Sequence, residues 1–246
     1  MIGISLVELG DWSKEIIRAK NIVLSVGHNS RRRPEIRYMK KFLEDDVIGN
    51  PVMIEGNISL TRGLRLKEGE WRWDPEQFSS GPLIQLGVHH ADTFQYLLGP
   101  IKEVSGYQNH LYTSANIIDN AVTVLEFESG CLGYIGSSYI TPSSYKIVLS
   151  GTKGRIFYDD LLGLFIFDNK GNNKKIEIET KAKRVGDSIL EELDEFADCI
   201  IYGRKPEVSI EEGLRALAVI EAAVQANKNG STVCIRDVIT KAQRHN

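Results

Sequence analysis

Cysteine is scarce in this 246-residue chain: Cys131, Cys199 and Cys234 stand far apart, with no Cys-x-x-Cys pair. That spacing supports neither a disulfide framework nor a tetrahedral zinc site, and fits reduced thiols in a cytoplasm. Long apolar runs are missing as well, none approaching the roughly 20 residues that span a bilayer. Residues 1–10 have a short apolar run and no basic flank, unlike a secretory leader. There is no excess of positive charge either: a net charge of -3 and a pI near 6.0 argue against a general nucleic-acid binder. Acidic ligands stay open, because local charge outweighs the sum. Finally, the chain has no Gly-x-Gly-x-x-Gly. Its nearest approach, Gly130-x-x-Gly133-x-x-Gly136, has the wrong spacing and sits in a strand region, and Gly151-Thr-Lys-Gly154 reads as a hairpin turn. The expectation is a soluble, cytoplasmic protein without a dinucleotide-binding turn of its own.

What is present is organised in three stretches. Residues 8–20 fit a helix and residues 21–26 a short buried strand. Pro34 suits the first position of a helix carrying Ile36, Met39 and Leu43, which ends near Gly49. Residues 51–61 read as a strand, 62–80 as a long polar loop with Trp71 and Trp73, and 84–98 as a helix stopped by Gly99-Pro100. From about 102 to 180 short β-rich runs follow (122–127, 132–139, 145–150, 155–158, 164–168 and 175–180), joined by hairpin-length connectors. Two helices close the chain. One, over 188–202, carries Leu190, Leu193, Ala197 and Ile200 on one face; the next is capped by Ser209, turns Leu217, Ile220 and Val224 inward and ends at Asn229-Gly230. The fold class is α+β: one large, predominantly antiparallel sheet with helices packed on one face. Its other face is left to water or to a second copy.

The 84–98 helix is the most informative stretch. At about 3.6 residues per turn, Gln85, His89, Asp92 and Tyr96 share one narrow face. Gly87, Ala91, Phe94 and Leu98 lie opposite, small or apolar and suited to close packing. A helix with His, Asp, Gln and Tyr on one side and a core face on the other has the pattern of a site wall. His90 lies about 100° from His89 and reads as structural or as a support behind the site residues. A metal held by His89 and Asp92 would need a third ligand, and only His28 offers itself; no metal is expected.

Four segments then resemble the Gfo/Idh/MocA oxidoreductases, relatives of glucose–fructose oxidoreductase and inositol dehydrogenase. They are Val26-Gly-His-Asn-Ser-Arg31-x-x-Pro34, Trp71-Arg-Trp-Asp-Pro75, Ser80-Gly-Pro-Leu-Ile-Gln-Leu-Gly-Val-His-His-Ala-Asp92, and the run Glu192-Leu-x-x-Phe196, Gly203-Arg-Lys-Pro206, Glu211-Glu-Gly-Leu-Arg-Ala-Leu217. The resemblance implies an N-terminal Rossmann domain that binds NAD or NADP. It also implies a C-terminal sheet domain, like that of dihydrodipicolinate reductase or glyceraldehyde-3-phosphate dehydrogenase, for substrate contacts and oligomerisation. Here residues 1–26 would be the last helix and strand of the Rossmann domain, and 27–246 the substrate-binding and oligomerisation domain. The family's Glu-Lys-Pro segment, whose lysine completes the catalytic set, is absent; Lys205-Pro206 lies elsewhere.

By that resemblance His89 is the catalytic histidine, its imidazole matched by an ordinary pKa near 6.5 to taking a hydroxyl proton. Asp92, one turn on, would orient the ring or raise its basicity. Gln85 stands where many members have aspartate; an amide cannot ionise but can orient a hydroxyl. Arg31 matches the arginine before the family's proline, and with Arg32 and Arg33 forms either an anion site or a solvated basic stretch. Trp71 would stack on a sugar face or staple the long loop to the core. The substrate residues implied are therefore Gln85, Asp92, Arg31 and Trp71. The expected function is the substrate domain of a sugar or polyol dehydrogenase, binding no cofactor alone and inactive alone. A non-catalytic sugar-binding or scaffold module, and one half of a split enzyme with a separately encoded Rossmann partner, stay open. A dimer or tetramer through the open sheet face is expected.

Overall fold

The computed structural model describes residues 20, 22–78, 80–178 and 185–244; the helix expected over 8–20 lies outside them except at Lys20. Residues 22–28 do not form the expected strand. Val26 N–H donates to the Val208 carbonyl at 3.0 Å, one bond rather than a ladder, so the apolar run crosses the surface of a helix pair instead of entering a sheet.

Nine strands form a single sheet: β1 (Pro51–Ser59), β2 (Ile101–Asn109), β3 (Asn120–Phe127), β4 (Leu132–Ser138), β5 (Ser144–Gly151), β6 (Gly154–Asp159), β7 (Gly163–Asp168), β8 (Asn173–Ile176) and β9 (Val233–Cys234). Their order is β8-β7-β6-β5-β1-β4-β3-β2-β9. β1 is inserted between β4 and β5, parallel to the first and antiparallel to the second, so the β-rich region is not an uninterrupted meander. The sheet is otherwise antiparallel, in agreement with the α+β reading. Neither β2 nor β9 carries the apolar alternation that exposes a strand to sequence reading: β2 is Ile-Lys-Glu-Val-Ser-Gly-Tyr-Gln-Asn.

Alternate residues of β3 and β5 (Ala121, Thr123, Leu125 and Phe127; Tyr145, Ile147 and Leu149) are buried beneath helices. Those helices are α1 (Pro34–Glu44), α2 (Val88–Leu98), α3 (Val185–Tyr202), α4 (Ile210–Asn229) and α5 (Ile235–Arg244); α5 is a third closing helix that the sequence did not reveal. α4 starts and stops as read. The Ser209 hydroxyl accepts from Glu211 N–H, Glu212 reaches back to Ser209 N–H at 2.8 Å, and Gly230 closes the helix in the left-handed region. Its alanines at 216, 218, 222, 223 and 226 are buried and let it lie close to β2 and α2.

α3 departs from expectation in orientation. Leu190, Leu193 and Ile200 are more than half exposed and Ala197 is exposed with them. The inner side is instead the polar one, because Glu195 pairs with Arg32 at 3.0 Å and its other carboxylate oxygen accepts Glu207 N–H at 2.9 Å. Glu207 in turn joins Arg32 at 3.2 Å and holds Arg37 by two bonds of 2.7 Å. Charge pairing, not apolar burial, decides which side of α3 faces the domain.

Candidate functional site

Helix α2 does not begin as an α-helix. Leu83–Gly87 winds as a π-helical turn, with Val88 N–H reaching back to Leu83. Such wide turns gather at functional sites, and here one displaces Gln85 from the 3.6-residue spacing that put it in line with His89. The entry is fixed by Gly81, at φ +52°, where a Cβ would sit 2.0 Å from the Ile118 carbonyl oxygen. The loop bearing Ile118 is itself held by Asp119. This buried carboxylate accepts N–H bonds from Leu111, Tyr112 and Thr113 at 2.8–3.1 Å.

The inner side of α2 agrees with the reading of a core face. Ala91 and Phe94 are fully buried, and His90 is buried with its ring stacked on Phe94 and edge-on to Tyr145. Burial holds the His90 pKa down at about 3, with a hydrogen bond to the Lys146 carbonyl opposing it. His90 is a packed, neutral core residue.

The polar side is more divided than the sequence indicated. Asp92 and Arg31, both proposed for substrate, are buried against each other: Arg31 Nε and Nη2 donate to the two carboxylate oxygens at 2.9 and 2.5 Å. With Gln95, Tyr96, Glu212 and Arg215 they line a cavity of about 130 Å³, smaller than the roughly 300 Å³ at which small-molecule pockets begin. Tyr96 lies under the Arg31 guanidinium and accepts from Arg37 at 2.8 Å. Arg32 and Arg33 form neither an open anion site nor a solvated stretch: Arg32 is buried against Glu195 and Glu207, while Arg33 pairs with Asp160 at 2.8 Å and lies over Tyr145. Each cation of this triplet has its own acidic partner.

His89 is only partly buried, with its ring edge-on to that of His28 at 6.2 Å between centroids. His28 is buried, and neither of its ring nitrogens, nor His89 Nδ1, has a hydrogen-bond partner among the described residues. Burial, then His28 and Arg33, depress the His89 pKa to about 4. Burial likewise lowers that of His28, against the pull of Asp92. Both imidazoles are therefore neutral at pH 7, and the Asp92 carboxylate that was to strengthen His89 is engaged by Arg31. Sequence reasoning raised His28 only as a metal ligand. Among the described residues, no group of three or more His, Cys, Asp or Glu side chains is gathered as a metal would require.

Gln85 faces a different neighbour, which sequence reasoning passed over. Arg72 Nε donates to Gln85 Oε1 at 2.7 Å, and its guanidinium lies 4.1 Å from the Trp71 ring centre. Trp71 stands edge-on to the buried Phe78, which stacks on Tyr139, so the loop is stapled while 44% of Trp71 stays exposed. The signal available was the Trp-Arg-Trp triplet itself, a cation between two aromatic rings in an otherwise polar loop.

No N-terminus of α1, α2 or α4 is arranged to receive a pyrophosphate. α1 opens on Arg33 and Pro34, α2 continues the π turn, and the N–H groups of α4 are met by Ser209 and Glu212. The starts of these three helices offer no open set of N–H groups for a dinucleotide's phosphates.

The described residues thus form a single broad sheet backed by helices, with a neutral histidine near the start of the helix that packs on its central strand. The family model described as the oxidoreductase family, C-terminal alpha/beta domain (Gfo/Idh/MocA) matches residues 40–235, and the chain belongs to that family. It is 28% identical to a myo-inositol 2-dehydrogenase of Thermotoga maritima, over 97% of this chain and 72% of that protein. It is also 28% identical to an NAD(+)-linked scyllo-inositol 2-dehydrogenase of Bacillus subtilis, over 90% of this chain and 65% of the relative. Among solved structures, a Desulfitobacterium hafniense protein assigned as an NADPH-dependent oxidoreductase superposes with a TM-score of 0.88 at 32% identity, over 96% of this chain and 71% of that one. The chain thus spans about two thirds to three quarters of the length of these relatives.

Proposed function

We propose that this chain is the substrate-binding and oligomerisation domain of an NAD(P)-dependent sugar or polyol oxidoreductase, with His89 as the group that takes or returns the hydroxyl proton. The observation that carries the reading is the His28–His89 pair: two neutral imidazoles at one end of α2, with three ring nitrogens that have no hydrogen-bond partner among the described residues. Support for the substrate class comes from inositol dehydrogenase relatives along nearly the whole chain. A nicotinamide dinucleotide, held outside the described residues, would supply the hydride chemistry. His89 would take or return the substrate hydroxyl proton, and His28 would hold a neighbouring hydroxyl.

Gln85, Asp92, Arg31 and Trp71 divide into two roles in this reading. Gln85 and Trp71 remain candidates for direct substrate contact. Arg31 and Asp92 brace the helix that presents His89. Residues 1–26 are read as the end of a dinucleotide-binding unit and 27–246 as the substrate domain. Exposed Leu161 and Leu162, at a hairpin tip tied to the Arg33 segment through Asp160, and the bare apolar side of α3 provide surface for such a unit to cover. A unit on the same polypeptide and a separately encoded one are equally served by that surface.

The test is a cofactor titration of the purified 246-residue chain followed by reconstitution. Alone, it is expected to leave NADH fluorescence unchanged and to oxidise no polyol. Fused behind the dinucleotide-binding domain of the Thermotoga relative, it should reduce NAD(+) with at least one polyol, and His89→Ala should lower kcat by about 10²–10⁴-fold. Turnover by the chain alone would refute the reading.

A further inference from the structure

Most arginines near the site have an acidic partner: Arg31 has Asp92, Arg32 has Glu195 and Glu207, Arg33 has Asp160, and Arg37 has Glu207. Arg72 is different. It is half-buried, and among the described residues no carboxylate lies within 4.0 Å of its guanidinium nitrogens. It is nonetheless held in place, by Gln85 Oε1 on Nε and by the Trp71 ring beneath its plane. Gln85 is a neutral acceptor, so it orients the cation without cancelling its charge. Tyr139 lies nearby with a hydroxyl that is fully buried and carries no negative charge at neutral pH.

A guanidinium has five N–H donors in a rigid fork. Nε is spent on Gln85 and the neutral Tyr139 hydroxyl lies against the same guanidinium, so the remaining Nη donors are the ones that can take a carboxylate. Holding a partly desolvated charge without a counter-ion costs stability, and a residue fixed on two sides is pre-organised for whatever supplies the missing anion. The Gln85 end of this arrangement lies in the π turn that opens the helix carrying His89.

Resting on the sugar or polyol reading above, we propose that Arg72, aimed by Gln85 and stacked on Trp71, is the recognition point for the carboxylate of an acidic sugar, of the aldonate or uronate type. One guanidinium matches the single charge of a carboxylate. A phosphate monoester, carrying nearly two charges at pH 7, would call for a second free cation, and the nearby Arg62 is shared with Glu70 at 3.6 Å. The exposed part of Trp71 offers the adjoining surface on which the sugar ring can lie.

The experiment is calorimetric titration of the full chain at pH 7.5 with D-glucuronate, D-glucose and D-glucose 6-phosphate, in wild type and in Arg72→Gln, Arg72→Lys and Gln85→Glu. Charge-assisted bonds favour the acid by an expected factor of at least ten over glucose. Arg72→Gln should collapse that ratio to about one, Arg72→Lys should keep part of it, and Gln85→Glu should abolish it by giving the guanidinium an internal partner. Unchanged melting temperatures in Arg72→Lys and Gln85→Glu separate lost recognition from lost folding. Equal affinity for acid and glucose, an acid preference surviving Arg72→Gln, tighter binding of the phosphate than of the uronate, or no acid binding at 50 mM would each overturn the proposal. Polyol oxidation by the reconstituted enzyme without acid preference would leave the oxidoreductase reading standing and remove only this one.

Discussion

Arg31 and Asp92, 61 residues apart in sequence, face each other as a two-pronged ion pair, with only 5% and 1% of their surfaces exposed. The pair ties the turn before α1 to the middle of α2, and Tyr96 covers the guanidinium from the same helix. Its consequence is mechanical: the helix that carries His89 is pinned from outside the sheet. Removing one partner strands the other as a buried charge, which typically costs about 3–5 kcal/mol. Asp92→Ala and Arg31→Ala should each lower the urea midpoint by that equivalent. The double variant Arg31→Met/Asp92→Leu should lose much less than the sum, as coupled residues do. Additive losses would show that the pair is not a unit.

The buried His28 and His90 and the partly buried His89 make the domain acid-sensitive. Unfolded, each titrates near 6.5; folded, His89 and His90 do so at about 4 and about 3, and His28 is also lowered. These are depressed bases, so about one unit or more above pH 6.5 neither state is protonated and stability is complete. Below it the unfolded chain gains protons that the native one refuses, and stability falls with pH until the folded values are reached. Between pH 6.5 and 5 the loss is about 2 kcal/mol for each of His89 and His90. Urea midpoints measured across this range should show the slope, and His89→Gln should reduce proton uptake on unfolding by close to one. A flat profile from 6.5 to 5 would contradict the burial of these rings.

Local signals in the sequence were legible where a short-range rule decides the structure. Ser209 with Glu212 and Gly230 marks the 210–229 helix, and Gly87, Ala91 and Phe94 mark the packed face of α2. Long-range outcomes were not legible. The apolar stripe at Leu190, Leu193 and Ile200 has a core pattern yet lies outside, because Arg32 draws Glu195 inward. Residues 22–26 have a strand's composition but meet no strand to pair with among the described residues. Arg31 and Asp92 were each visible as site candidates; that they satisfy one another depends on the fold bringing two segments together. Gln85 was placed by a period of 3.6 that the π turn does not keep.

Glycine on the central strand sets how closely α2 can approach the sheet. A Cβ at Gly56 would fall 2.4 Å from His90 Cδ2 and 2.6 Å from Phe94 Cζ, both inside the packed core. Overpacking of this kind costs about 1–3 kcal/mol. Gly56→Ala should therefore destabilise the domain and displace the start of α2 with it. Gly136, paired with Asn57 on the neighbouring strand, is the control, since its Cβ would meet the Asn57 amide tip at 3.1 Å and the Gly56 carbonyl oxygen at an ordinary 3.7 Å. Gly136→Ala should leave the melting temperature unchanged or slightly raised, because it removes freedom from the unfolded chain. Equal losses in the two variants would mean that the helix contact does not set the tolerance.

The helix-free face of the sheet is the surface on which self-association can be decided. Pairing places Tyr107 beside Val122, Val124 beside Tyr134 and Met53 beside Leu132, and Tyr107, Val122, Val124, Leu132 and Met53 are all at least 40% exposed. Apolar side chains in adjacent register on three or four strands form a continuous patch, unlike the scattered singles of an ordinary surface. A second copy of the same face would cover it by a two-fold interface, which for a stable dimer buries about 1,200–2,000 Å² in total. Light scattering at micromolar concentration should then report a dimer or tetramer. Val124→Lys, at the centre of the patch and pointing away from the core, should dissociate it while leaving the melting transition cooperative, because a charge there has no partner once buried. A wild-type monomer at that concentration, or a Val124→Lys protein that keeps its mass, would place any assembly surface elsewhere on the domain.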